Sequence, residues 1–505
     1  MENLLPPCIL PPSDNTIWAP PLDVQDLAVR LEASGVTDQV ARSQYGFRNL
    51  WHMAEVYLRV AQAQPPQFPH QAFEQSTWRN YLKGMAFATP AILCCLIVLF
   101  VKVPLWGGPI SGNQAVAIAV AAIAGFIVTG GFLQIIGRLG YFYKESKEWA
   151  LCSCSCWSAV KLGALALCAV TSMGFLLNAF FQWLPADLYA WCVVFNLGIG
   201  FYILVSGVLH VLEAEVTITV GTLLGMGVVG YLFLSLHVPL MVSQICGITV
   251  ATLTFLGVAE ARFRRMGSHL LAHVKLPPIG RLAYTLFPYF VYGALYYAFL
   301  FADRIIAWSA KTESASLPLQ FRGAYEAALD LCLFAFIVQV GWIHVGLVKF
   351  YDFVSAEQKQ LGVTDRATLR ECMMAFYKHQ ILIFGLLFVG SSAIVTAAIY
   401  EIPPLRAVIL PRVVLLGMAG MPFLAIGLWN IALLFALSRP MFAVTATAWS
   451  LVINVMIGYV LSRLVAYDLA IIGFFVGACA LSYISARCCH RMLANFDYYF
   501  FASAA

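Results

Sequence analysis

Residues 113–137 read NQAVAIAVAAIAGFIVTGGFLQIIG, a run with no charge in it. At 1.5 Å per residue a helix of that length exceeds the ~30 Å apolar thickness of a bilayer. A soluble helix buries one face and turns polar residues outward on the other. This run is apolar all round, so its surroundings are lipid or other helices. Working outward, runs of the same kind recur at roughly 82–102, 157–181, 187–211, 216–235, 238–258, 282–309, 324–348, 379–399, 408–436, 440–462 and 466–487. With 113–137 they predict twelve spans.

Composition agrees. The chain of 505 residues is 61% apolar and 11% charged, where a soluble domain is nearer half and a quarter, and its mean hydropathy is +0.82. The net charge of +5 is modest, and without a dense basic tract it argues against nucleic acid as a partner. No cleavable signal is expected, because residues 1–80 are polar and proline-rich and the first long apolar run begins near Leu82. Insertion is then led by the first span. Of the 14 cysteines, Cys94, Cys95, Cys168, Cys192, Cys246, Cys332 and Cys479 fall inside apolar runs, where buried free thiols are expected.

Loop charge tests the span count, since an error of one would invert every later loop. With the N-terminus inside, 22 Lys and Arg fall on the inner side, including Arg138, Lys144, Lys147, Arg262, Arg264 and Arg265. Seven fall outside: Lys102, Arg304, Lys311, Arg322, Arg406, Arg412 and Arg463. Lys161 lies within a span. Both termini are therefore expected in the cytoplasm. The basic connection Ala259–Arg281 divides the spans into two sets of six, the arrangement of transporters whose substrate path runs between repeated bundles. The expected organisation is a helical module at 1–80, a first six-helix lobe at 81–260, a basic loop at 261–281, a second lobe at 282–490 and a tail at 491–505.

The first 80 residues carry short helical periodicities. One starts at Asp23, places Val24, Leu27, Ala28 and Leu31 on one face, and stops at Gly35. A second runs from Thr37 to near Gly46. A third is capped by Asn49 and buries Leu50, Met53, Ala54, Tyr57 and Leu58 before Pro65, Pro66 and Pro69 break it. The pattern suits a docking or regulatory element and holds no catalytic constellation.

Three motifs have bland readings. Gly225-Met226-Gly227-Val228-Val229-Gly230 fits GxGxxG, but it lies inside an apolar span with no strand before it, so close helix packing is expected instead. Cys152, Cys154 and Cys156 lack the spacing of a structural zinc site. No GxxxxGK[ST] occurs, so the chain has no P-loop of its own for ATP hydrolysis. No catalytic residues, metal or cofactor are expected; the chain reads as a carrier rather than an enzyme.

Charges inside spans cost about 2.5–3.5 kcal/mol on insertion scales and mark pathways. Asp303 and Arg304 close the seventh span; Glu326 and Asp330, four apart and on one face, open the eighth. Tyr289, Tyr292, Tyr296, Phe299 and Asp303 follow steps of three and four along one side of the seventh. An aromatic stripe ending in carboxylates is what a sugar channel would use. A plain packing stripe with a structural ion pair fits the same residues. Lys161, His210 and His344 lie near span ends and are expected to snorkel.

At these residues the chain resembles the Pel polysaccharide transporter family of the multidrug/oligosaccharidyl-lipid/polysaccharide flippase superfamily. The resemblance rests on Phe301-Ala302-Asp303-Arg304-Ile305-Ile306-Ala307-Trp308 and Ala324-Tyr325-Glu326-Ala327-Ala328-Leu329-Asp330. It continues at Lys349-Phe350-Tyr351-Asp352-Phe353 and Asn495-Phe496-Asp497-Tyr498-Tyr499-Phe500. It implies a MATE-like, two-lobed carrier in a bacterial inner membrane, exporting or flipping an exopolysaccharide or its lipid-linked precursor beside a cytoplasmic glycosyltransferase. Because that polymer is rich in amino sugars, the resemblance also implies that acids at 303, 326 and 330 meet cationic groups. The N-terminal 80 residues depart from the family pattern. A cation-coupled small-molecule extruder of the same fold and a non-transporting scaffold for a synthase are the rival expectations.

Overall fold

The computed structural model describes residues 24–33, 36–43, 45–63, 77–85, 104–107, 112–267, 279–310, 317–360, 366–402, 410–496 and 498–499. All of it is helix and connecting turn. The chain separates into two compact units, Met1–Gln75 and Ser76–Ala505.

In the first unit, α1 (Val24–Ala33), α2 (Asp38–Ser43) and α3 (Leu50–Ala63) enclose a small core of Val36, Ala41, Leu50 and Met53. Side-chain caps set the helix starts. Thr37 Oγ1 accepts from Val40 N at 3.4 Å and Asn49 Oδ1 from His52 N at 2.8 Å. Asp38 Oδ1 takes the amide of Leu50 at 2.8 Å, which ties α2 to α3. The second helix ends at Ser43 rather than near Gly46, whose φ of +71° belongs to the following turn.

The second unit begins with a helix over 77–85, here α4. It continues with α5 (Gly112–Glu145), α6 (Trp149–Phe181), α7 (Ala186–Val211), α8 (Glu215–Gly230, extended by a π turn to Ser235) and α9 (Leu240–Arg265). After these come α10 (Ile279–Trp308), α11 (Gly323–Gln360), α12 (Arg366–Glu401), α13 (Pro411–Ala436), α14 (Pro440–Leu464) and α15 (Ala470–Ala494). Among the described residues eleven helices are long and apolar enough to cross a membrane. The expected span 82–102 lies outside the described residues beyond position 85. The loop expected at 261–281 is shorter, because α9 runs on to Arg265 and α10 starts at Ile279. Arg262, Arg264 and Arg265 fill the last turn of α9, where cations favour the helix dipole.

Two hydrophobic cores form. One gathers α5–α9 around Phe195, Leu204, Val208 and Phe255; the other gathers α10–α15 around Phe299, Tyr325, Trp429 and Phe474. A repeat hidden in the sequence relates them. Helices α7 and α13 are 26 residues each, start 225 positions apart, and both start at a proline boundary, after Pro185 and on Pro411. Leu188, Cys192, Phe195, Ile199 and Leu204 are buried in α7, as are Val413, Gly417, Gly420, Leu424 and Trp429 at the same offset in α13. The turns after them match bond for bond. Glu213 and Ser438 take φ of 51° and 54°. Ala214 N donates to Leu209 O at 2.9 Å as Arg439 N does to Leu434 O at 2.8 Å, the bonding of a helix C-cap with a left-handed residue.

The halves meet where α5 crosses α10 and α4 meets α11. Gly130 and Gly293 bring two backbones together, and a Cβ on Gly293 would strike the Gly130 carbonyl. Phe126 lies against Tyr297 and Phe301, and Phe132 against Phe290, at centroid distances of 5.1–5.5 Å. Tyr81 Oη donates to Val338 O at 3.0 Å.

Candidate functional site

Helix α10 places Arg304 and Trp308 one turn apart on one face, and α11 presents Glu326 to both. Arg304 Nη1 donates to Glu326 Oε2 at 2.5 Å and Trp308 Nε1 to Glu326 Oε1 at 3.0 Å. Arg304 Nη2 lies 3.8 Å from Asp330 Oδ1. Tyr325 Oη donates to Asp303 Oδ2 at 2.7 Å. Arg304 thus joins Glu326 and Asp330, while its chain neighbour Asp303 pairs with Tyr325 beside them, so the four predicted charged residues lie together as three carboxylates around a single guanidinium. Asp303 is 1% exposed, and its second oxygen has no partner. The unpartnered Oδ1 of Asn454 belongs to the same region, since Asn454 Nδ2 donates to Phe299 O, one turn before Asp303, at 3.0 Å.

The carboxylates face inward to Arg304, Tyr325 and Trp308, all within the second bundle. Three acids that each meet a neighbour are poorly disposed to hold a polycation directly. Buried charge of this kind is costly unless paired, and removing one partner strands the rest. Among the described residues no group of His, Cys, Asp and Glu is arranged to hold a metal.

The aromatic stripe divides. Phe299 is fully buried and packs on Phe474 in the second core, with Gly477 making room for its ring. It is a core residue here, because its face of α10 turns toward α15. Tyr289 and Tyr292 both pack on Phe435 at 5.0 Å, and Tyr296 stacks on Tyr292 at 6.1 Å. Besides Tyr289, the residues at the seam with the first half include Phe290, Gly293, Tyr297 and Phe301, which sequence reasoning missed. They also follow helical steps of three and four, so periodicity could not rank the two aromatic faces of α10; Gly293 in the midst of large rings was the available signal.

At the base-rich end of the first bundle, three donors hold the Leu212–Ala214 turn. Lys144 Nζ reaches Glu213 Oε1 at 2.5 Å, Tyr141 Oη donates to His210 O at 3.0 Å, and Arg262 Nη1 to Leu212 O at 2.9 Å. The Lys144 ammonium holds the Glu213 carboxyl below the usual carboxylate range. Arg138 lies 5.5 Å over the Tyr289 ring, across the seam. Gly225 packs against Gly247 and Ala251, a close helix contact, whereas Gly227 and Gly230 of the GxGxxG run face open space. Cys152, Cys154 and Cys156 are free thiols.

No family model matches the sequence, and no curated protein matches it either. Solved structures do match. A mutant of the Vibrio cholerae MATE transporter VcmN aligns with a TM-score of 0.53 and 12% identity, over 84% of this chain and 99% of that one. The fold is that of the MATE transporters. A multidrug resistance MATE family transporter of the MOP superfamily, captured outward-facing, aligns at 0.55 with 13% identity over 84% of this chain and 96% of its own. The eukaryotic MATE transporter AtDTX14 aligns at 0.55 with 11% identity over 85% and 99%. At these identities the likeness concerns the fold, and it identifies the chain as an all-helical membrane protein of MATE-like architecture.

Proposed function

We propose that this chain carries a polysaccharide, or its lipid-linked precursor, across a bacterial inner membrane along the seam between its two bundles. The observation that carries the proposal is the seam itself. Two repeat-related cores meet through Gly130, Gly293 and tilted and edge-on aromatic pairs, so the α5–α10 contact is close and apolar, as a contact that opens and closes requires. Aromatic faces at such a contact suit sugar C–H surfaces. The resemblance at Phe301–Trp308 and Ala324–Asp330 supports a glycan cargo. The charge count supports placing the base-rich end and both termini in the cytoplasm, where the module at 1–80 is available to a glycosyltransferase.

The buried network at the end of α10 serves here as the anchor that holds α10 and α11 together when the seam opens. Deleting the chain should abolish surface polysaccharide and leave polymer or precursor inside; the full chain should restore export. The fold likeness to multidrug transporters favours one second reading, a cation-coupled extruder of small molecules. Dye extrusion against a proton or sodium gradient in proteoliposomes, with surface polysaccharide unchanged on deletion, would establish that reading instead. If removing residues 1–80 abolished glycosyltransferase binding while neutral substitutions at 303 and 330 were silent, the chain would be a scaffold.

A further inference from the structure

The repeat provides an internal control for charge. The second residue of α7 is Asp187, a carboxylate at a helix N-terminus, where the dipole favours it. At the same offset, 225 positions on, the second residue of α13 is Arg412, a cation that works against the dipole. Its side chain is 73% exposed, and its partner Asp468 stands 3.9 Å away. The helix gains nothing from this arginine.

Two more arginines share its patch. Arg322 donates to Ala310 O at 3.1 Å and lies 4.5 Å over the Tyr467 ring. Arg463 donates to Ser309 Oγ at 2.8 Å and lies 4.9 Å over Tyr459. Ser309 and Ala310 are chain neighbours, as are Tyr467 and Asp468, so the three guanidiniums converge. The patch stands where the ends of five helices, α10, α11, α13, α14 and α15, come together. That is the end of the bundle and not its lipid-facing flank. Among the described residues Asp468 is the one carboxylate within ion-pair distance of the three. In the first bundle the connecting segments 182–187 and 236–239 at the same face carry no basic residue besides His237, and their single acid is Asp187. Basic residues are depleted on the face opposite the cytoplasm. Arg322 and Arg463 tie down the end of α10 through Ala310 O and Ser309 Oγ, but Arg412 has neither a favourable dipole nor a close carboxylate, and among the described residues three guanidiniums stand against one acid.

We infer that this arginine patch binds the carboxylates of an acidic glycan segment on the far side of the membrane. The inference rests on the polysaccharide reading but departs from the amino-sugar-rich polymer that the resemblance implies, and it names an acidic glycan as the cargo. A guanidinium fork matches a carboxylate in two parallel bonds, and the half-exposed Tyr459 ring offers a flat apolar face beside it.

The test uses the full chain in phosphatidylcholine nanodiscs, titrated with an oligogalacturonate and, as a neutral control, maltohexaose. The oligogalacturonate should bind in a salt-sensitive way and maltohexaose should not. Arg412→Gln together with Arg463→Gln should weaken binding at least about tenfold with an unchanged melting temperature, and Arg412→Gln alone should weaken it measurably. Equal affinity in these variants, or equal binding of maltohexaose, would overturn the inference. So would displacement of the oligogalacturonate by phosphatidylglycerol built into the nanodisc, which would make the patch a headgroup site. If deletion still abolishes surface polysaccharide while the variants bind normally, the patch fails and the export reading stands. If the patch binds uronate while deletion leaves surface polysaccharide intact, the export reading fails alone.

Discussion

The two bundles share a backbone plan and differ in what they bury. The first buries no carboxylate among its described residues, whereas the second buries Asp303 and Glu326. Val205 in α7 becomes Asn430 in α13 at the same offset. The amide accepts from Tyr377 Oη at 2.8 Å and donates to Ser485 Oγ at 3.0 Å. Asp187 becomes Arg412. Since the first bundle reaches the same helix lengths, the same turn and a comparable core without these groups, the architecture does not need them. Buried charge in a lipid-embedded core is costly, and among the described residues the buried carboxylates lie in the half that also carries the resemblance to polysaccharide transporters. The repeat thus separates residues that make the fold from residues placed on it.

The largest loss is expected at Arg304. Arg304→Met strands Glu326 and Asp330 together, and the second bundle should lose about 3–5 kcal/mol, read as a large fall in melting temperature in detergent; the reverse change in the first bundle has no counterpart to remove. A reciprocal exchange sharpens the point. Val205→Asn buries an amide with no partner, and Asn430→Val leaves the Tyr377 hydroxyl without its acceptor and removes the donor to Ser485 Oγ, whose own proton stays on Leu481 O, so each should cost about 1–3 kcal/mol. If Asn430→Val proved neutral, its network would be ornamental. Tyr325→Phe removes the single side-chain donor to Asp303 and should cost about 1.5–3 kcal/mol, with Asp303→Asn partly restoring the loss.

The smallest effect is expected at the turn. The folded-state pKa of Glu213 is depressed by Lys144, so the pair contributes stability above the unfolded carboxylate value and loses it as pH falls through the lower, folded one. Glu213→Gln should flatten that acid-side loss in a thermal melt. The side chain is 55% exposed, so screening by solvent keeps the effect small.

Much of the fold was legible because bilayer thickness constrains length. Eleven of the predicted spans coincide with long helices, with ends displaced where basic last turns project beyond the apolar layer, as at Arg262–Arg265. The repeat was not legible, because it is carried by burial and turn geometry at positions such as Leu188/Val413 and Glu213/Ser438 that share almost no residue identity. At the site, charge inside a span was sufficient to find Asp303, Arg304, Glu326 and Asp330. The partners Tyr325 and Trp308 required knowing how α10 meets α11. Spacing could not sort the aromatic residues, because one helix carries two aromatic faces and spacing alone treats the face toward Phe474 and the face toward Phe126 alike.

Cross-linking the seam asks whether the two halves must part for export. In a cysteine-free background that retains export, cysteines replacing Phe126 and Tyr297, whose rings stand 5.3 Å apart across the two halves, should be joined by a short bifunctional thiol reagent. Export should stop when the bridge forms and return when a cleavable bridge is reduced, while each single cysteine treated with the same reagent exports normally. Full export through a bridged seam would contradict the account, because the halves would then have no need to part.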